Sequence, residues 1–277
     1  MDLNAEYNNR ARVPEHGEML AGWQREAAAY RETTRCELDQ SYGAGAREKY
    51  DLFHPEDGSG SAVMIYIHGG YWQRGDRKDY SHVARPFVAQ GMSVAVTSYD
   101  LCPDVTIPDI ISQMRACVLA VWRKTGLKPI VAGHSAGGHL AAAMLGTDWS
   151  GIDGGEADLV PGACAISGIF DLAPLIEVDM NGNLNLTSKT AGDASPISWN
   201  IDGAGKSLVV AVGGIESSEF LRQARTFAEC WGKAGVAVDY VEVENGNHFT
   251  ALEAFLRPDG AIAKRIPALR DRCAAVG

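Results

Sequence analysis

The sequence has no long hydrophobic run and no excess of positive charge. No apolar stretch among its 277 residues approaches the roughly 18 residues of a membrane-spanning helix, and the first twelve residues are polar and charged where a secretory signal would be apolar. Lys and Arg number 25 against 35 Asp and Glu, which gives a formal net charge of −10. Nucleic acids and anionic membranes are bound through excess basic residues, so we expect neither as a partner, and we expect a cytoplasmic protein.

The chain also lacks the cysteine and histidine spacing of a metal site. No two cysteines form a C-x-x-C pair and most lie in apolar surroundings, so we expect buried, reduced thiols rather than disulfides or zinc ligands. The six are Cys36, Cys102, Cys117, Cys164, Cys230 and Cys273. His134 and His139 are five residues apart, which splays them around a helix. We therefore expect no metal and no cofactor.

What the chain does have is an alternation of strand and helix patterns. Short apolar or β-branched runs predict eight strands, at residues 36–40, 48–53, 62–67, 93–98, 130–133, 163–169, 208–212 and 236–243. Helical patterns occur at residues 80–90, 107–125, 136–145, 218–234 and 249–256. This alternation predicts an α/β protein with a mostly parallel sheet, helices on both faces, and an antiparallel edge formed by the first two strands.

No repeat, low-complexity segment or linker divides the chain, and its 46% hydrophobic content suffices for one large core, so we expect a single domain over residues 1–277. Two segments do not fit the alternation. Residues 1–45 begin with a charged, Ala-rich helical pattern over 4–33, and residues 171–200 are polar and Asn-rich. Either segment could cover the carboxyl ends of the strands as a small lid.

The most informative motif is Gly133-His134-Ser135-Ala136-Gly137, between an apolar run and an Ala-rich helical run. G-x-S-x-G in this context is typical of a nucleophile elbow, where a sharp strand-to-helix turn exposes a serine hydroxyl. Such a turn tolerates only small neighbours, which explains Gly133 and Gly137. We therefore predict Ser135 as a nucleophile; the alternative is a glycine-rich turn that merely joins two elements.

A second motif, His68-Gly69-Gly70-Tyr71-Trp72, follows the strand predicted at residues 62–67. Consecutive glycines let the backbone approach a ligand, so the amides of Gly69 and Gly70, with that of Ala136, are predicted to form an oxyanion hole. The alternative is a tight turn without a ligand. Tyr71 and Trp72 are expected to line the substrate pocket rather than the core. We place His68 at the pocket with them, and favour for it a structural role in holding the loop.

A serine needs a base and an orienting acid, which this fold supplies in the chain order Ser, Asp or Glu, His. Glu216 follows the strand at 208–212, and His248 follows the last strand. We therefore predict that His248 takes the proton of Ser135 while Glu216 fixes the imidazole tautomer. Two other acids compete with Glu216: Asp171, after the preceding strand, and Glu219, which we expect to face solvent on its helix.

Together these motifs resemble the α/β-hydrolase family, and within it the kynurenine formamidase (arylformamidase) and related small-esterase branch. The resemblance runs from about residue 50 to residue 255 and includes Tyr99-Asp100-Leu101-Cys102-Pro103 and Gly246-Asn247-His248-Phe249. It implies hydrolysis of an aryl formamide, or of short-chain esters, by Ser135, Glu216 and His248. One departure is the acid, because formamidases commonly have Asp where Glu216 stands.

The partner expected from this resemblance is therefore a small-molecule ester or aryl formamide. A ligand-binding protein on the same fold is the alternative from another class, since such relatives arise by losing triad members. All three predicted members are present here in the expected order, which favours the enzyme. The oligomeric state stays open, a homodimer included.

Overall fold

The computed structural model describes residues 1–58 and 60–274. The sheet in these residues consists of β1 (Cys36–Ser41), β2 (Lys49–Phe53), β3 (Ala62–Ile67), β4 (Met92–Thr97), β5 (Pro129–His134), β6 (Gly162–Ile166), β7 (Ser207–Gly213) and β8 (Ala237–Val243). Their spatial order is β1-β2-β4-β3-β5-β6-β7-β8. β1 pairs antiparallel with β2 and β2 with β4, while all later neighbours pair in parallel. The predicted eight-stranded, mostly parallel sheet with an antiparallel edge is confirmed.

Helices cover both faces of this sheet. The α-helices of the described residues are α1 (Leu3–Tyr7), α2 (Asn9–Arg12), α3 (His16–Thr33), α4 (Arg85–Val88), α5 (Ile107–Thr125), α6 (Ala136–Leu145), α7 (Asn181–Leu184), α8 (Ser188–Asp193), α9 (Ser218–Lys233), α10 (Thr250–Leu256) and α11 (Ile266–Ala274). Successive side chains of a strand point to opposite faces. In β3, Val63 and Ile65 join a core with α5, α6 and α9, whereas Met64 and Tyr66 join a second core with α3, α10 and α11.

Several element boundaries differ from the sequence prediction, mostly at prolines and polar caps. The helix expected over 4–33 is three helices: it breaks at Asn8, whose side chain caps the Ala11 amide at 3.1 Å, and again just before Pro14. The helix expected over 80–90 is a 3-10 turn (Ser81–Ala84) followed by α4, with Pro86 in its first turn. The strand expected over 163–169 stops at Ile166, because Ser167 has a left-handed φ of +50°.

Within the described residues, no helix is long and apolar enough to cross a membrane, and no group of three or more His, Cys, Asp or Glu side chains is arranged to hold a metal ion. Five cysteines are described, and all are free thiols. Cys102, Cys117 and Cys164 are buried as expected, but Cys230 is exposed on the outer face of α9. Cys273 lies at a position whose side chain is outside the described part.

The buried histidines predict a loss of stability in acid. His82 is 3% exposed and packs on Trp23, with neither ring nitrogen hydrogen-bonded in the described residues. Burial lowers the pKa of His82 to about 4, with Glu26 opposing and Arg85 adding to the shift. In the unfolded chain histidine has a pKa of about 6.5, so as the pH falls the unfolded state binds the proton before the folded state does. The free energy of unfolding therefore decreases between about pH 6.5 and about pH 4, by up to about 1.4 kcal/mol per pH unit for each such histidine.

Burial also lowers the pKa of His68 and His139 to about 4 and that of His134 to about 3. We expect the free energy of unfolding, measured with urea between about pH 7.5 and about pH 5, to fall steeply as the pH is lowered. His82→Phe removes one of four such groups and is expected to reduce that pH dependence by roughly a quarter. An unchanged slope in His82→Phe would show that His82 is charged, or solvated, in the folded state.

Candidate active site

Ser135 lies on a sharp turn between β5 and α6, with φ +58° and ψ −120°. The turn requires glycine on both sides. A Cβ atom on Gly133 would overlap the backbone of Gly137, and one on Gly137 would overlap the carbonyl of Ile67 in β3. The strand and the helix therefore approach as closely as backbone allows, and the first amides of α6 lie beside the serine.

The glycine loop after β3 lies directly against Ser135. A Cβ atom on Gly69 would fall 2.9 Å from the Cβ of Ser135, and Gly70 has a φ of +120° that favours glycine. In the described residues, the amides of Gly69, Gly70 and Ala136 donate to no protein acceptor. Three free N–H groups beside a serine form the arrangement that an oxyanion requires.

His68 and Trp72 do not line the cavity beside Ser135, where the sequence placed them; both side chains are buried in the core. His68 is fully buried: its ring stacks on Tyr99 at 4.5 Å, and its Nδ1 lies 2.7 Å from the carbonyl oxygen of Gly69. It holds the loop, the role that the sequence favoured for it. Trp72 is also fully buried, with its indole edge-on to His139 at 5.1 Å.

Trp72 is in the core because of the backbone conformation that follows the two glycines. Tyr71 and Trp72 both have left-handed φ angles, +53° and +56°, which large side chains rarely adopt. The chain turns back on itself there, and the Trp72 carbonyl accepts a hydrogen bond from the Cys102 amide at 2.8 Å. Tyr71 lines the cavity, whereas Trp72 packs in the core, so truncating Trp72 would leave a void in the core rather than widen the pocket.

Glu216 and His248 are in direct contact. Glu216 Oε2 lies 2.7 Å from His248 Nδ1, and both side chains are buried. The other carboxylate oxygen, Oε1, accepts from the Gly213 amide at 2.7 Å and from the Ser167 hydroxyl at 2.5 Å. Because both oxygens accept hydrogen bonds, the carboxylate is held in one orientation towards the imidazole.

Two residues that support this pair were not predicted in that role. Ser167 directly follows β6, at the same edge of the sheet as Ser135 and Glu216, and that position is the signal that could have found it. His134 Nε2 lies 2.7 Å from the carbonyl oxygen of His248. Burial, and then repulsion from His248, lowers the pKa of His134 to about 3, so a neutral ring donates to that carbonyl and fixes the backbone that carries His248.

The acids that competed with Glu216 lie elsewhere. Asp171 Oδ1 accepts from the Ala173 amide, and in the described residues it makes no contact with His248. Glu219 is 5% exposed, so the expectation that it faces solvent is wrong. Its carboxylate accepts from Arg222 and from the Tyr7 hydroxyl at 2.9 Å, and the bond from Arg222 is the main reason that the pKa of Glu219 is lowered. The cause of the burial is α1, which covers this side of α9.

Ser135 and His248 line one cavity of about 470 Å³, together with Gly69, Gly70 and Tyr71. Both segments that stood apart in the sequence contribute to its wall. The N-terminal helices supply residues that include Tyr7, Asn9 and Arg10, and the 171–200 segment supplies Asp179 and Met180. The Tyr71 hydroxyl donates to the carbonyl of Tyr7 at 2.5 Å, which ties the glycine loop to α1. That either segment opens as a lid stays a prediction.

Known proteins with similar sequences and structures are hydrolases. Residues 50–192 match the BD-FAE family. Kynurenine formamidase of Salmo salar is 33% identical over 80% of this chain and 78% of its own, and that of Danio rerio is 31% identical over 84% and 82%. The crystal structure of a candidate thioesterase from Silicibacter sp. TM1040 has a TM-score of 0.87 and 32% identity, and the match covers 98% of this chain and 99% of that one.

Proposed function

The chain belongs to the BD-FAE family and is a hydrolase with the α/β-hydrolase fold. We propose that it cleaves aryl formamides through an acyl-enzyme on Ser135. The observation that carries the proposal is the 2.7 Å contact between Glu216 and His248 in a cavity that also holds Ser135. Serine, imidazole and carboxylate in this relation are the groups that nucleophilic acyl transfer uses.

In the proposed reaction, the Ser135 hydroxyl attacks the acyl carbon and His248 takes its proton. The carbonyl oxygen becomes an oxyanion beside the free amides of Gly69, Gly70 and Ala136, which stabilise it. Collapse of this intermediate breaks the C–N bond, and the arylamine leaves with the proton held by His248. A water molecule then attacks the acyl-enzyme by the same route, with His248 again as base and then as acid, and releases the carboxylic acid.

The two formamidase relatives, similar over most of the chain, support an aryl formamide as the leading substrate class. Its chemistry suits the site independently, since an arylamine is a better leaving group than an alkylamine and a formyl carbon carries only hydrogen. Short-chain esters are the second candidate. The description of the Silicibacter relative favours this class, because a thioester is cleaved by the same acyl transfer.

The length of the acyl group separates the two candidates. With formyl, acetyl and butyryl derivatives of one arylamine and of one phenol, we expect kcat/KM to fall at each step, because added carbons must displace packed atoms at a cost of about 1 to 3 kcal/mol each. Tyr71 beside the glycine loop is the aromatic group in position to close the acyl side. Tyr71→Ala should relax the preference, whereas Tyr71→Phe, which keeps the ring, should retain it.

A general esterase would show the opposite trend, gaining about 0.8 kcal/mol for each methylene buried in an open groove. Best turnover of butyryl esters, together with inert formanilide, would therefore reject the formamidase and leave the esterase.

A further inference from the structure

Two arginines line the cavity that holds Ser135 and His248. Arg10 comes from α2, and Arg74 follows the glycine loop by four residues. A tight turn joins Gly70 to this arginine, since the Gln73 amide donates to the Gly70 carbonyl at 3.0 Å. A Cβ atom on Gly70 would fall 2.8 Å from Cγ of Arg74, so the stem of Arg74 packs against the predicted oxyanion hole.

The positive charges of these arginines are not neutralised by the protein. In the described residues, neither Arg10 nor Arg74 forms a salt bridge, and neither guanidinium donates a hydrogen bond to a protein acceptor. Arg47 and Arg222, by contrast, are paired with Asp76 and Glu219. Partial burial, and then repulsion from Arg10, lowers the pKa of Arg74, which indicates that the two cations act on each other.

The carboxylates of the cavity wall do not pair with these two arginines. Asp79 accepts from Gln24 at 3.1 Å, and Asp179 lies on the 171–200 segment; neither has an oxygen within 4.0 Å of a guanidinium nitrogen of Arg10 or Arg74. Both arginines are exposed to solvent, so they stand at the open side of the cavity, where a charged group of a ligand could reach them together. Guanidinium groups pair with planar anions through two parallel hydrogen bonds, so a bound anion would satisfy both.

We propose that Arg10 and Arg74 bind a carboxylate carried by the substrate. This inference rests on the proposed function: if the acyl group is as small as formyl, the carboxylate must belong to the leaving group, as a side chain on the aromatic ring. Arg74 lies beside the glycine loop, so a carboxylate bound there orients the leaving group relative to Ser135. The substrate class is therefore an anionic aryl formamide or, in the second candidate, an anionic aryl ester.

The test compares substrates that differ only in charge. (Formamidophenyl)acetate and its neutral carboxamide have the same shape, and a methylene insulates the reacting nitrogen from the changed group. We expect the wild type to prefer the carboxylate by about tenfold to hundredfold in kcat/KM, mainly through KM, as charged hydrogen bonds would give. Acetate esters of (hydroxyphenyl)acetate and of its carboxamide repeat the comparison for ester cleavage. A further substrate with a phosphonate in place of the carboxylate tests whether phosphate-like anions are bound instead.

Arg10→Gln and Arg74→Gln are each expected to bring the ratio of carboxylate to carboxamide kcat/KM towards one. Arg25→Gln is the control, because Arg25 is an exposed arginine on α3 that does not line this cavity, and it should keep the wild-type ratio. Raising the ionic strength should lower the ratio in the wild type more than in Arg10→Gln, which retains only the charge of Arg74. Arg74→Gln could disturb the glycine loop, against which Arg74 packs; Arg10→Gln, on α2, then still tests the proposal.

Each outcome separates the two proposals. A wild-type ratio near one with active turnover would overturn the carboxylate site and leave the hydrolase mechanism standing. If the phosphonate substrate has a higher kcat/KM than the carboxylate substrate, the anion bound by the arginines is a phosphate-like group and the carboxylate proposal is overturned. If neither the two formamides nor the two esters are hydrolysed, whether charged or neutral, the proposed function itself is contradicted.

Discussion

Replacement of Ser135 by alanine is expected to abolish hydrolysis while the protein stays folded. The variant has no atom to form the acyl-enzyme, and loss of the nucleophile in serine proteases lowers kcat by about 10⁶-fold. The fold should tolerate the change, because alanine has the same Cβ as serine and therefore meets the strained φ of +58° no differently. The Ser135 hydroxyl also makes no hydrogen bond in the described residues that alanine would remove.

The measurement is kcat with formanilide and a phenyl ester, alongside thermal unfolding of wild type and variant. A fluorophosphonate probe followed by peptide mass spectrometry should label Ser135 in the wild type and nothing in Ser135→Ala. Ser112→Ala is the control, since Ser112 is an exposed serine on α5 that bonds only to the carbonyl of Pro108. A variant that keeps most of its activity, or a wild type that ignores the probe, would contradict the serine mechanism.

The sheet and the residues at its carboxyl edge could be predicted because both depend on local patterns. Alternating apolar runs fix a parallel sheet, and a parallel sheet brings the loops after β3, β5, β7 and β8 to one edge. The positions of Ser135, Glu216 and His248 in the chain order therefore predicted a contact between residues that are far apart in sequence. The 2.7 Å contact of Glu216 with His248 has this origin.

The errors concern contacts that local sequence does not encode. Glu219 is buried because Tyr7, 212 residues earlier, lies on it, and no pattern around Glu219 reports that contact. Trp72 points into the core because it and Tyr71 adopt left-handed angles. Sequence reasoning assigns such angles to glycine and asparagine, not to two consecutive aromatic residues. Arg10 shows the same limit, because only the folded N-terminal segment places it at the cavity.

Glu216→Gln is expected to lower kcat by about 10⁴-fold, the effect of the corresponding amide in serine proteases. The hydrogen bonds of the wild type explain why. Gly213 donates its amide to Oε1 and can do nothing else, so the glutamine oxygen must occupy that position. The new NH₂ group then faces His248 Nδ1, where Oε2 stood. A donor there forces the proton onto Nε2, and the imidazole can no longer accept the proton of Ser135.

Two further variants distinguish this tautomer effect from a general loss of structure. Glu216→Asp keeps an acceptor facing His248, and the resemblance to formamidases implies that Asp serves there, so it should lose far less activity than Glu216→Gln. Glu219→Gln removes a buried charge that pairs with Arg222, so it should lower the free energy of unfolding while kcat stays within a few-fold of wild type. If Glu219→Gln is the inactive variant and Glu216→Gln turns over normally, the carboxylate that orients His248 has been misassigned. Equal losses in Glu216→Asp and Glu216→Gln would instead mean that the position of the carboxylate, set by Ser167 and Gly213, matters more than its charge.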